Sequence, residues 1–119
     1  MSMKSLRQFI YEEIDSIKSE LDSMGVDHHI SHNPTNKTTT ISKIVVPKDK
    51  RNSGVGSKAM RAITNHADKH GHRLVLTPSA DFGGSVGRLK SFYKRHGFIE
   101  NKGKNKDFST RETMYRSPR

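Results

Sequence analysis

Ile44-Val45-Val46-Pro47-Lys48-Asp49-Lys50-Arg51-Asn52-Ser53-Gly54-Val55-Gly56-Ser57-Lys58-Ala59-Met60 is the stretch on which the fold turns. Its first three residues are β-branched and apolar, which suits a strand, and Pro47 ends that strand by withholding a backbone donor. A short polar loop follows. From Gly54 onward Val55, Ala59, Met60, Ile63 and Ala67 recur with the period of an amphipathic helix, which Gly71 stops. Such a passage from strand to helix leaves the first helical N–H groups without carbonyl partners, at the positive end of the helix dipole. That is an anion site. Glycine at 54 and 56 keeps Cβ atoms out of the way of a phosphate, and Arg51 and Lys58 add charge. A pyrophosphate is the expected guest.

Downstream, Arg73-Leu74-Val75-Leu76-Thr77 is a short continuous apolar run closed by Pro78, the pattern of a strand covered on both faces. Residues 41 to 77 therefore form a βαβ unit with a right-handed crossover. Upstream, Leu6, Phe9, Ile10, Ile14, Ile17, Leu21 and Met24 predict a helix from about Ser5 to about Met24, opened by a Ser5/Gln8 capping box and stopped at Gly25. Val26–His32 and Thr38–Val46 flank the turn signal Asn33-Pro34-Thr35-Asn36, which predicts a hairpin. After a loop at Asp81-Phe82-Gly83-Gly84, a last helix carries Val86, Leu89, Phe92 and Tyr93 to His96-Gly97. Phe98-Ile99 and Thr113-Met114-Tyr115 predict two closing strands. The order α-β-β-α-β-α-β-β predicts an α/β (α+β) mixed sheet with a central βαβ unit and helices on both faces.

With 119 residues the chain fits one domain spanning 1–119. Lys and Arg number 22 against 12 Asp and Glu, a balance that draws polyanions such as nucleic acid, acidic proteins and phosphate-bearing cofactors. The absence of cysteine excludes disulfides, thiolate zinc sites and a thiol nucleophile. No apolar run is long enough to span a membrane, and no signal-peptide core opens the chain, so the expected location is the cytoplasm.

Other glycine-rich loops fit less well. In a P-loop the glycine is followed by Lys and then Ser or Thr, whereas Ser57-Lys58 reverse that order. The dinucleotide fingerprint calls for a third glycine at position 59, which is Ala59. Arg51-Asn52-Ser53-Gly54-Val55-Gly56 instead resembles the acetyl-CoA motif of the GNAT superfamily of N-acetyltransferases, Arg-x-x-Gly-x-Gly/Ala after a strand. Tyr93, followed by Gly97-Phe98, resembles the end of that family's late helix. The resemblance covers about 41–99, and the chain looks like a small stand-alone member of bacterial or bacteriophage type, abbreviated at its N-terminus.

The resemblance implies transfer of an acetyl group from acetyl-CoA to a primary amine by direct attack in a ternary complex, with no metal. It implies that Ile44, Val45 and Val46 meet the pantetheine arm and the thioester. Arg51, Asn52, Ser53, Gly54, Val55, Gly56, Ser57 and Lys58 would hold the pyrophosphate. Leu89 and Phe92 would line the cofactor from the late helix. Tyr93 would donate a proton to the leaving thiolate. The acceptor would be a protein lysine or N-terminus, a small amine, or an aminoacyl-tRNA; with the early elements shortened, the acceptor side is either open or built with a second subunit in a homodimer. If the chain is virus-encoded, its place is the host cytoplasm.

The general base stays open among Asp27, Asp81, Glu100 and Glu112, because Ser42 stands where the central strand would carry a carboxylate. The late helix also lacks the Asn that many members place near its start, and Ser85-Val86 stand there. Two alternatives remain: a catalytically degenerate acetyl-CoA-binding protein, and a basic domain that binds nucleic acid or protein. His66, His70 and His72 are spaced for zinc, yet without a glutamate in the metalloprotease pattern they read as solvated helix-edge residues, as do His28, His29 and His32 in the hairpin. Lys102, Lys104 and Lys106 read as a solvated loop, with a grip on a cofactor phosphate or an acidic substrate as the other reading.

Overall fold

The computed structural model describes residues 16–47, 49, 54–78 and 86–119. A helix over 16–23 (α1) leads into a hairpin of β1 (Asp27–Asn33) and β2 (Thr38–Val45). Then come α2 (Val55–His70), β3 (Arg73–Leu76), α3 (Val86–Arg95), β4 (Ile99–Glu100), a 3-10 turn at Gly103–Asn105, and β5 (Met114–Arg116). The expected order of elements holds among these residues. The predicted helix start near Ser5 and the loop at Asp81 lie outside them.

The strands form one five-stranded mixed sheet in the order β1-β2-β3-β5-β4. β2 and β3 run parallel, as a βαβ unit requires, and the other neighbours run antiparallel. The hairpin turn is built from asparagine chemistry. Asn33 Oδ1 accepts the Thr35 N–H at 3.0 Å and Asn36 Oδ1 accepts that of Thr38 at 3.1 Å.

All three helices end alike. The N–H of Val26, His72 and Phe98 reaches back to the carbonyl of Leu21, Ala67 and Tyr93, one residue past Gly25, Gly71 and Gly97. This Schellman closure turns the chain inward, so the residue after each glycine is buried. One core results. Ile17 and Leu21 of α1, and Ala59, Met60, Ile63 and Ala67 of α2, pack with Ile30, Ile41, Leu74, Leu76, Tyr93, Phe98 and Met114. Burying each large side chain contributes about 1.5–3 kcal/mol. Val75 alternates away from this core, yet is also buried, so β3 is covered on both faces as its unbroken apolar run predicts.

The histidines depart from expectation. His72 is 4% exposed, and its ring stacks on His32 with centroids 4.1 Å apart. His66 lies 5.8 Å from His72 and 4.6 Å from His70. The reading of His66, His70 and His72 as solvated is therefore corrected for His72, and in part for the half-buried His66 and His70. The Schellman turn at Gly71 carries His72 inward, and the i, i+4 spacing brings the other two alongside. Burial first, and then the neighbouring His and Lys charges, hold His66 and His72 down to about 4 from an ordinary 6.5. Burial also lowers His32.

Above pH 6.5 these rings are neutral in both folded and unfolded chains, so they leave stability unchanged. Below it the unfolded chain binds protons that the fold refuses, and stability falls as the pH drops from about 6.5 towards 4. Denaturant titrations across this window are expected to show that loss, with a shallower slope for His66→Gln. Equal slopes would contradict the assignment.

Candidate active site

β2 and β3 pair only over Thr38–Ile41 and Arg73–Leu76, and β2 then runs four residues further, to Val45. At the point of departure the β1–β2 register shifts. His29 faces Lys43 but Ile30 faces Ile41, so Ser42 is an extra residue in β2. A bulge of this kind reverses the alternation of side chains beyond it. Ile44 and Val46, which an unbroken strand would point opposite to Ile41, pack instead against the same core.

The chain next enters α2 through Gly54, whose φ of 79° is left-handed and favours glycine. Among the described residues no side chain caps this helix, and no acidic residue occupies its first turn. The first helical bond runs from the Lys58 N–H to the Gly54 carbonyl at 3.0 Å. The amides of Val55, Gly56 and Ser57 therefore have no acceptor within the helix. Space beside Gly54 is open: a Cβ there would meet nothing within 4 Å. Gly56 is the junction. A Cβ on it would lie 3.5 Å from Val46 Cγ2 and 3.8 Å from Phe92 Cζ. The end of β2, the start of α2 and the middle of α3 thus converge on one glycine. Ile44, Val46, Val55, Leu89 and Phe92, which belong to these three segments, are partly buried apolar residues resting on the core. Val45 and Ser57 are half-buried and Lys58 is exposed, while Arg51, Asn52 and Ser53 lie outside the described residues. An open glycine, uncapped amides and an apolar wall suit a phosphate-bearing group with an extended arm.

Tyr93 follows Phe92 on α3, and its ring is packed edge-to-face between Phe92 and Phe98 at 5.4 and 5.7 Å. The residue is 6% exposed. Its hydroxyl bonds to no described residue. Burial pushes the phenol above its ordinary 10. It therefore holds its proton at neutral pH.

The four carboxylates separate. Asp27 pairs with Lys43 at 2.6 Å. Glu100 is held by Lys90 and Lys94, with Lys102 nearby, and these cations bring it down to about 2. Asp81 lies outside the described residues. Glu112 accepts a hydrogen bond from Thr77, the residue after β3, and so stands at the end of the sheet where β2 and β3 part. Sequence reasoning named Glu112 among the candidate bases without ranking it, since only folding brings it to Thr77, and it missed the bulge at Ser42. The bulge at Ser42 did leave a trace, because Ile41 and Ile44 have opposite parity although both are apolar.

A family model for the acetyltransferase (GNAT) domain matches residues 12–100. The chain belongs to the GNAT acetyltransferase family. The match extends upstream of the 41–99 motif core, so the first helix and the hairpin are part of the GNAT domain. Among solved structures, Ard1 from Thermoplasma volcanium is similar, with TM-score 0.52 and 22% identity over 78% of this chain and 62% of that one. Nourseothricin acetyltransferase also matches, with TM-score 0.46 and 21% identity over 76% of this chain and 55% of that one. The chain thus spans about three fifths of the length of the first of these. No curated protein matches it. Among the described residues of the GNAT domain no cluster of three ligating side chains is arranged to hold a metal ion, and no helix is long and apolar enough to cross a membrane.

Proposed function

We propose that the protein is an N-acetyltransferase that moves an acetyl group from acetyl-CoA to a primary amine by direct attack. The observation that supports this most is the convergence at Gly56 of a diverging strand end, an uncapped helix start and the helix that carries Tyr93. When bound, acetyl-CoA supplies an activated acyl group in thioester linkage. The amides of Val55, Gly56 and Ser57 hold its pyrophosphate beside Gly54, with Asn52 and Ser53 as further contacts and Arg51 and Lys58 adding positive charge. Ser42–Val45 run beyond β3 and offer an extended edge along which the pantetheine arm lies. Ile44, Val46, Leu89 and Phe92 exclude water from that arm.

Tyr93 Oη holds a proton near the departing sulfur. Its pKa lies above 10 and that of a thiol near 8.5, so its contribution is a hydrogen bond that strengthens as charge builds on sulfur. Glu112, at the same end of the sheet, receives the proton of the amine. The chain has no cysteine to carry a covalent intermediate, which supports the ternary complex. The acceptor class is a protein amine, a small amine or an aminoacyl-tRNA, and the site of action is the cytoplasm.

Thermal unfolding tests the reading. Acetyl-CoA at about a hundred times its Kd is expected to add about 2.7 kcal/mol, roughly 10 °C in Tm for a domain of this size. Thiol release on adding primary amines should follow. An unchanged Tm at millimolar acetyl-CoA would overturn the proposal.

A further inference from the structure

Within the loop joining β4 to β5, residues 102–111 carry none of the roles assigned above to acyl transfer. The loop is pinned from within. Asn101, 7% exposed, donates its side-chain amide to the carbonyls of Asp107, Thr110 and Glu112 and accepts the Asp107 N–H at 2.6 Å. Tyr115 Oη donates to the Asn105 carbonyl at 2.6 Å. Asp107 faces inward, paired with Arg73 and accepting from the Ser109 N–H and hydroxyl. Between Asp107 and Ser109, this framework holds Phe108 out into solvent, 88% exposed. An aromatic ring left unburied on an ordered loop forgoes the stabilisation that most such rings gain.

The charges around it are of one sign. Asp107 is the only acidic residue between Asn101 and Arg111, and it is turned inward and neutralised by Arg73. Lys104, Lys106 and Arg111 are exposed and form no ion pair with a described residue, and the Lys106 ammonium lies 5.8 Å from the centre of the Phe108 ring. A solvent-facing π surface, with Lys106 beside it and two further exposed cations on the same loop, meets the two needs of a nucleic-acid strand, a platform for a base and partners for its phosphates. An acidic peptide would use the cations but leaves the ring without a role. The excess of 22 basic over 12 acidic residues across the chain acts in the same sense.

We propose that residues 102–111 form a docking site for single-stranded nucleic acid, in which a base stacks on Phe108 and the adjoining phosphates meet Lys104, Lys106 and Arg111. The site shares no residue with the acyl-transfer site and does not rest on that reading.

Fluorescence anisotropy with the full chain and a labelled single-stranded oligonucleotide of about ten nucleotides tests it, with heparin and polyglutamate as competitors. Phe108→Ala should weaken binding about tenfold without changing its salt dependence, and Phe108→Trp should retain it. Changing Lys104, Lys106 and Arg111 together to Gln should reduce the slope of log affinity against log salt by about 2. An exposed ring can be removed without unfolding the protein, and an unchanged Tm for Phe108→Ala checks this. Wild-type affinity in Phe108→Ala would overturn the proposal. So would polyglutamate or heparin competing as well as unlabelled oligonucleotide, since the loop would then be a polyanion or acidic-protein contact only.

Discussion

Tyr93→Phe is expected to lower acetyl-transfer turnover about a hundredfold while leaving the affinity for acetyl-CoA within about twofold. The substitution removes one oxygen and keeps the ring. That ring packs on Phe92 and Phe98 in the core, so the fold loses no apolar contact. The hydroxyl bonds to no described residue, so its removal leaves no orphaned partner. What is lost is a neutral phenol at the place where negative charge would form on sulfur. A loss confined to turnover is the signature of a group that acts more strongly in the transition state than in the bound complex. Rapid-mixing assays of thiol release, with binding measured separately, check both halves. Equal turnover would assign Tyr93 to packing alone. A parallel loss of affinity would place it in cofactor binding.

Asp68→Ala is expected to cost about 3 kcal/mol of stability, lowering Tm by roughly 10 °C. Asp68 accepts two bonds from the Arg116 guanidinium, at 2.7 and 2.9 Å, and a third from the Arg119 N–H at 3.0 Å. Arg116 is 5% exposed and also donates from Nε to the His96 carbonyl. Truncating Asp68 would strand a buried cation, which costs far more than the pair is worth against a hydrophobic replacement. The Arg116 hydrogen bonds hold the Asp68 carboxyl below its ordinary value. Its contribution is therefore present above that ordinary value and is lost as the pH falls through the lowered one. Denaturant titration at neutral pH measures the loss. Wild-type stability would contradict the account.

This network bears on the candidate site, because it clamps the end of the helix that carries Tyr93. Gly97 has a φ of 94°, and a Cβ on it would stand 2.7 Å from an Arg119 guanidinium nitrogen and 3.0 Å from Arg116 Nε. The spacing from Tyr93 to Gly97-Phe98 thus has a physical cause. The glycine makes the turn and admits the guanidinium groups, and Phe98 closes on the Tyr93 carbonyl and ring.

The βαβ unit was legible because the apolar run at 73–76 and the helical period from Val55 are local patterns, and the structure has β3 within them and α2 over Val55–His70. Gly54 could be read for the same reason, since its left-handed turn belongs to its own stretch of chain. Glu112 at Thr77 and the ring of His32 on His72 were not, because strand pairing sets those contacts across 35 and 40 positions. The inward turn of His72 had a local cue in Gly71, but whether the residue after such a glycine meets core or water is decided by what packs there.

Amide chemical shifts report most directly on the central claim that the strand-to-helix turn after β2 holds the cofactor. Titrating unlabelled CoA into the 15N-labelled protein is expected to move the amides of Val55, Gly56 and Ser57 most, with Ser42–Val45 next and residues 102–110 unmoved. Shifts absent from the start of α2, or confined to another surface, would contradict it.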